Sequence, residues 1–366
     1  MQVNPDLKQY AKPLSYHYRS AQFSINLICA ARAGEKLLGV MCCGLKDVLI
    51  GGKKSTISIG MDGRIIRNAR NKGVMKLLST YTAANIATRH RVIGMLGCSS
   101  PKTLPSAHIL GVEEEKKANQ NRQRVDLLDE ETMLRIGRKC EKVQKLTRRE
   151  STLLFEEQFM HNTELYPLDL EENITGNSLF KGFYVLENDD GSCRVGAAIW
   201  QNSLIYRILN VGEEVPWPAN GMENREGYNA LFGMFAEGNL DECDKLFSVL
   251  ISHLSYITTT EPARHNIEGA TRYTIVTEQD RCAPGVCPKY LLSCCQYSWK
   301  LSTFFDEWPI HWDDILVAFN PFEKGRTYHN EDIPFFVDPR DLGNALYSPE
   351  KRTLAELKKE SPHSSL

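Results

Sequence analysis

Along the first third of the chain the apolar residues fall in short alternating runs separated by glycine corners, and then change period. Phe23-Ser24-Ile25-Asn26-Leu27-Ile28-Cys29 and Leu37 to Cys43 read as two strands joined by the Ala33-Gly34-Glu35 corner. Gly51-Gly52 turns the chain into a third run, Ser55-Thr56-Ile57-Ser58-Ile59, which continues to Arg64-Ile65-Ile66. From Val74-Met75-Lys76-Leu77-Leu78 through Tyr81 and Ile86 the apolar residues recur at helical spacing, and Arg91 to Leu96 returns to strand character. The pattern predicts three antiparallel strands feeding one helix, with a further strand behind it.

The second half repeats this order. Phe183-Tyr184-Val185-Leu186 and Val195 to Trp200 flank the hairpin turn Asn188-Asp189-Asp190-Gly191, and Leu204 to Val211 reads as another strand. Ala230 to Phe235 leads through Ala236-Glu237-Gly238-Asn239 into a helix bearing Leu246, Val249, Leu250 and Leu254. Tyr273 to Glu278, Trp299 to Trp308 and Trp312 to Phe319 supply the closing strands. Between the halves, Glu113 to Arg122 has no apolar face and reads as a solvated connector. A long helix is predicted next, opened by Asp129 as N-cap, with Met133, Ile136, Cys140 and Val143 on one stripe and Lys139, Lys142, Lys145, Arg148 and Arg149 on a solvated face. After Asp341, Pro349 to Lys359 suggests a short charged helix and the remainder is polar.

Composition narrows the function classes. The 366 residues give room for two domains, and a formal charge of −2 provides no global pull toward nucleic acid or an anionic membrane. No apolar run approaches the ~20 residues that span a bilayer, and Met1 to Lys12 lacks the apolar core of a signal peptide, so a cytoplasmic or nuclear location is expected. Eleven cysteines, an odd number without a secretion signal, read as reduced thiols. Cys282, Cys287, Cys294 and Cys295 lie close in sequence, but adjacent cysteines on a strand face opposite sides, and no metal site is expected.

The strand-to-helix junction Arg70-Asn71-Lys72-Gly73-Val74-Met75 holds the most chemistry. Amides of a first helical turn lack intrahelical acceptors, the helix dipole adds partial positive charge, and Gly73 admits an anion close to the backbone. Arg70 and Lys72 add full charges. The equivalent junction in the second half carries Glu237 and no basic residue before Lys245, so a phosphate would meet a carboxylate there.

Strand order and the spacing Arg70-x-x-Gly73-x-Met75 resemble the acetyl-CoA-binding motif of the GCN5-related N-acetyltransferases, the GNAT family, with Met75 where that motif has a small residue. Leu165 to Leu170, Gly233 to Gly238 and Phe335 to Asp341 further resemble landmarks of the plant HOOKLESS-type probable N-acetyltransferases, and the two-lobe order is similar to that of animal histidine N-acetyltransferases. The resemblance implies an α/β (α+β) fold of two GNAT-like lobes, each a mixed, mostly antiparallel sheet flanked by helices. On that reading residues 1–112 form an acetyl-CoA-binding domain abbreviated at its N-terminus, 113–160 a charged linker and helix, 161–345 a degenerate lobe, and 346–366 a disordered tail.

It also implies acetyl transfer to the primary amine of a small molecule or peptide, by direct attack in a ternary complex with acetyl-CoA. Arg70, Asn71, Lys72, Gly73, Val74 and Met75 would cradle the diphosphate, and the backbone of Arg64, Ile65 and Ile66 would bond the pantetheine. Asp62 is the candidate general base, with Cys98 and Ser99 after the next strand as further catalytic candidates; the tyrosine acid common in the family has no counterpart between Pro101 and Gly111. The rival expectation is a non-catalytic acyl-CoA-binding or regulatory protein of the same fold.

Overall fold

The computed structural model describes residues 7–11, 22–99, 123–202, 206–210, 227–267, 271–279, 297–308, 326–329, 336–341 and 350–351. The first half holds β1 (Leu7–Ala11), β2 (Ile25–Ala33), β3 (Lys36–Ile50), β4 (Lys53–Ile65), helix α1 (Val74–His90) and β5 (Gly94–Ser99). There follow β6 (Gln123–Asp129), α2 (Glu130–Ile136), β7 (Gln144–Lys145), α3 (Arg148–Phe155) and β8 (Leu165–Pro167). The second half adds β9 (Phe180–Glu187), β10 (Arg194–Gln201), β11 (Tyr206–Asn210), β12 (Gly227–Glu237), α4 (Leu240–Thr259), β13 (Thr271–Gln279), β14 (Tyr297–Glu307), β15 (Arg326–His329) and β16 (Glu350–Lys351).

The fold is α/β (α+β), with the predicted repeat visible as β2-β3-β4-α1-β5 and β9-β10-β12-α4-β13. In each repeat the last two strands, β4 with β5 and β12 with β13, are parallel and joined through a helix, while the other pairings are antiparallel. Among the described residues the strands join in a single 14-stranded sheet of order β2-β3-β4-β5-β14-β6-β13-β12-β10-β9-β7, with β8, β15 and β16 off that path. Strand β14 forms the seam: Tyr297 to Leu301 pair with β6, and Ser302 to Glu307 pair with β5. Strand β11, within the predicted Leu204–Val211 run, leaves this sheet and pairs with β1.

The long helix predicted from Asp129 is broken. Asp129 does cap α2, its side chain accepting from the Thr132 amide at 2.8 Å, but the helix ends before Gly137. There α4 takes over the backbone partners: Ser252 Oγ donates to the Ile136 carbonyl at 2.6 Å, Arg138 N donates to the Ser252 carbonyl, and Cys140 N donates to His253 Nδ1 at 3.1 Å. A new helix, α3, opens at Thr147 with a reciprocal capping box to Glu150. At the other end, Glu350 and Lys351 pair with β14 as β16 instead of opening a charged helix. Trp312 to Phe319 and the cysteines at 282–295 lie outside the described residues.

Packing follows from the strand faces. On β3, Cys42 is buried with Ile57 and Ile59 while Cys43 is buried with Ile86 and Ala87 of α1, so adjacent thiols serve two opposite core layers. In the second half the Phe155 ring is a hub, 4.9 Å from Phe183, 5.5 Å from Phe232 and 5.6 Å from Phe336 between centroids.

A buried ionic network joins the two halves. Lys46 on β3 reaches Asp338 at 3.1 Å and Asp341 at 2.6 Å. Arg340 grips Asp169 with both terminal nitrogens, at 2.7 and 2.9 Å, and contacts Asp338 through Nε and Nη2. Its guanidinium carbon lies 5.0 Å from the centroid of the Phe23 ring. Burial alone would push the Asp338 carboxyl up, yet Arg340 and Lys46 outweigh it and hold the group well below the usual carboxylate range. Burial dominates at Asp341, which Lys46 only partly compensates, and its carboxyl is pushed up to about 6.

Two outcomes follow. Arg340→Ala leaves the buried Asp338 and the partly buried Asp169 without their shared cation and should cost about 3–5 kcal/mol in denaturant unfolding. For pH, the raised Asp341 means that the folded chain binds a proton more tightly than the unfolded chain, so this group adds stability as pH falls from about 7 to about 4. His253 and His265, pushed below the usual histidine range first by burial, act with opposite sign over part of that window, equally in parent and variant. The difference in unfolding midpoint between the parent and Asp341→Asn should therefore move in the parent's favour on acidification; a pH-independent difference would refute the assignment.

Candidate functional site

Two features of β4 prepare the junction that the sequence singled out. Val40 faces Arg64 and Cys42 faces Met61, so Asp62 and Gly63 together oppose the single residue Met41 in a β-bulge. Beside the bulge, the parallel pairing of β4 with β5 covers only Ser58↔Met95 and Ile59↔Leu96. Beyond these pairs β5 continues along β14 as far as Ser302↔Ser99. The two strands thus part at their C-terminal ends, which opens a wedge with the Asp62–Gly63 bulge on one rim and Cys98 and Ser99 on the other.

After Ile65 the chain makes a single 3₁₀ turn, Arg67–Ala69, tied back by Ile66 N to the Leu38 carbonyl at 3.0 Å. Arg70 Nε then donates to the Ile65 carbonyl at 3.3 Å. Asn71 (φ 62) and Gly73 (φ 76) both adopt left-handed backbone, and α1 starts at Val74 with its first bond from Leu77 N to the Gly73 carbonyl. Gly73 has open space around it, so its positive φ is what requires glycine. Ala69 and Val74 are buried in one cluster with Cys29, Met41 and Leu78, and this anchors the turn while Arg70, Asn71, Lys72 and Gly73 stay exposed.

This helix start has neither a side-chain cap nor an acidic residue in its first turn. No aspartate or glutamate occurs between Asp62 and Glu113, whereas Arg64, Arg67, Arg70, Lys72 and Lys76 all fall around the turn. Positive charge, the helix dipole and first-turn amides therefore converge without a competing carboxylate from this stretch. The motif did not include Arg67, although its spacing of three residues from both Arg64 and Arg70 is visible in the chain.

Met75, the departure from the small-residue pattern, turns inward. A Cβ added at Gly63 would lie 2.8 Å from Met75 Cε, so the thioether occupies the face of β4 that glycine leaves bare. The motif's missing small residue is offset by a small residue on the strand.

The corresponding junction of the second half is already filled. Asn239 caps α4 by accepting from the Asp241 and Glu242 amides at 3.0 and 3.3 Å, and both of those residues are acidic. Glu237, at the end of β12, accepts from Gln158 at 2.8 Å. Of the sequence candidates, the backbone places Arg64 to Met75 in one continuous turn, with Asp62 on the bulge and Cys98 and Ser99 across the wedge. Residues 101–122, including His108, lie outside the described residues. No helix among the described residues is long and apolar enough to cross a membrane.

No family model and no curated protein matches the chain. Among solved structures it is similar to Saccharomyces cerevisiae N-myristoyltransferase with bound myristoyl-CoA, at 12% identity over 83% of this chain and 74% of that one, with a TM-score of 0.40. It is also similar to a GCN5-related N-acetyltransferase from Anabaena variabilis, at 8% identity over 78% and 64% of the two chains and a TM-score of 0.42. A third similarity is to a probable N-acyltransferase from Enterococcus faecalis, at 10% identity over 80% and 65% with a TM-score of 0.40. These likenesses are distant, and the chemistry of the site rests on its own residues.

The contact between strand and helix can be checked directly. Gly63→Val places a branched side chain where Met75 lies and should cost about 1–3 kcal/mol in urea unfolding. Adding Met75→Ala should return part of that loss; strictly additive losses would mean that the two residues do not touch.

Proposed function

We propose that the protein is an acyl-CoA-dependent N-acyltransferase that uses acetyl-CoA and transfers the acetyl group to a primary amine of a small molecule or peptide by direct attack in a ternary complex. The observation that supports this most is the uncapped, acid-free start of α1 set at the mouth of a wedge between two parallel strands. A diphosphate needs the first feature and an extended pantetheine the second. On this reading residues 1–112 are the cofactor-binding unit, 161–345 a degenerate repeat that has lost its own anion site, and the protein works in the cytoplasm or nucleus.

Acyl-CoA supplies the activated thioester; the chain supplies binding and proton handling. Arg70, Asn71, Lys72, Gly73, Val74 and Met75 cradle the diphosphate through backbone amides and two full charges, and Arg67 adds a third. The backbone of Arg64, Ile65 and Ile66, carried away from β5 by the bulge, offers its edge to the pantetheine amides. Asp62 takes a proton from the incoming ammonium through water so that the amine can attack. Cys98 and Ser99 stand on the opposing strand, where a proton for the departing thiolate is needed.

Calorimetric titration with acetyl-CoA tests the cradle, with Gly73→Glu expected to weaken binding about tenfold or more by setting a carboxylate against the diphosphate. Equal affinity of variant and parent would remove Arg70 to Met75 from the site. A thiol-release assay over free amino acids, polyamines and peptides tests the chemistry, with Asp62→Asn expected to lower kcat by about 100-fold. Tight binding with no turnover on any amine would instead assign a non-catalytic acyl-CoA-binding role.

A further inference from the structure

In the second half, two thiols from distant parts of the chain converge on one exposed turn. Cys193 closes the hairpin between β9 and β10: its amide donates to Asn188 Oδ1 at 2.9 Å, and its carbonyl accepts from the Asn188 amide at 3.1 Å. Cys243 sits in the first turn of α4, with its Sγ donating to the Glu237 carbonyl at 3.2 Å. Cys193 Sγ donates to Glu242 Oε2 at 3.2 Å and lies 3.9 Å from the Asn239 carbonyl oxygen. Both thiols are thus held against the turn Glu237 to Asn239, and the two side chains interact directly.

Gly238 makes this approach possible. A Cβ there would stand 2.3 Å from the Ser192 carbonyl oxygen and 2.7 Å from Cys193 Sγ, and its φ of 104° also favours glycine. The burial of the pair is shallow. Cys193 is 1% exposed and Cys243 2%, yet Ser192, Glu237, Gly238, Asn239 and Glu242 around them are all exposed. One layer of a small, polar turn separates the sulfurs from solvent.

We propose that Cys193 and Cys243 are a redox pair that hydrogen peroxide converts to a reversible disulfide, locking the β9–β10 hairpin to the start of α4. Cys193 reacts first, because the Glu242 carboxylate already accepts its thiol hydrogen bond and can take the proton. The resulting thiolate attacks one peroxide oxygen, the O–O bond breaks, and the sulfur is oxidised to a sulfenic acid. The departing hydroxide takes the proton back from Glu242 and leaves as water. The Cys243 sulfur then displaces the sulfenic hydroxyl: the S–S bond forms, the S–O bond breaks, and the Cys243 thiol proton leaves with the hydroxyl as a second water. Closing the pair gives up only the weak thiol contacts to Glu242 and the Glu237 carbonyl. Burial pushes the Cys243 thiol up, so the reduced state gains nothing as a thiolate and the disulfide is correspondingly less readily reduced. The pair lies in the half without the turn at Arg70 to Met75, so it does not depend on the proposed acyl transfer.

The test treats the whole reduced protein with hydrogen peroxide, alkylates the remaining thiols in denaturant, and maps the non-reduced peptides by mass spectrometry. A peptide linking Cys193 to Cys243 should appear, with loss of alkylation at both positions, and dithiothreitol should restore both thiols. In Cys243→Ser the link cannot close, and dimedone should capture the sulfenic acid at Cys193. Protein unfolded before oxidation should lose the preference for this pair. Full alkylation of both thiols after peroxide, a link from either one to a different cysteine, or the same selectivity in the unfolded chain would each overturn the proposal.

Discussion

The buried grip of Arg340 on Asp169 and Asp338 is the contact on which the rest of the architecture depends. A guanidinium taken out of water is tolerated only when its donors are met, and here two carboxylates meet them from segments 171 and two residues away in sequence. Lys46 extends the network to β3, against which β8 also pairs. The Phe336 amide donates to the Leu165 carbonyl at 3.0 Å, so the segment bearing Arg340 is tied by backbone as well as by charge. Strand β3 is in turn the partner of β4, whose end runs into the candidate turn at Arg70 to Gly73. Fixing Lys46 therefore fixes the strand on which the candidate site is built.

The two halves show how one supersecondary pattern gives opposite electrostatic results. Both run from a strand into a helix beside a parallel neighbour. In the first half the turn is anchored by the apolar residues Ala69 and Val74 and leaves the helix start uncapped. In the second, Asn239 and the acidic residues after it satisfy the same helix start from within the chain. A helix N-terminus already capped by its own side chain and flanked by carboxylates disfavours an anion, whereas an uncapped start without carboxylates does not. The retained fold of the second half serves structure instead, through the aromatic core around Phe155.

Much of this was legible in the chain because it is local. The hairpins at Gly34 and Asn188 to Gly191, the period change at Val74 and the charge contrast between Arg70 and Glu237 each depend on residues within a few positions of one another. The break in the predicted helix after Ile136 depends on α4, more than a hundred residues away, although Gly137 and the Thr147-x-x-Glu150 capping box were local signs of it. The segments Leu165 to Leu170 and Phe335 to Asp341 stood out separately as landmarks; that they meet through Asp169 and Arg340 is a tertiary fact. The fit of Met75 onto Gly63 was hidden for the same reason, since twelve positions separate a strand residue from the helix residue that covers it.

Strand β14 carries this dependence into the site. The wedge beside β4 exists because β5 leaves β4 after Leu96 while its other edge stays paired, and the pairing that holds it comes from Ser302 to Glu307. The preceding residues of the same strand, Tyr297 to Leu301, are held by β6 and through it by the second-half sheet. A shift of register anywhere along β14 would change where β5 ends relative to the bulge at Asp62 and Gly63. The width of the wedge is thus set by a strand from the far end of the chain, and the half whose helix start is capped from within still determines the geometry of the half whose helix start is uncapped.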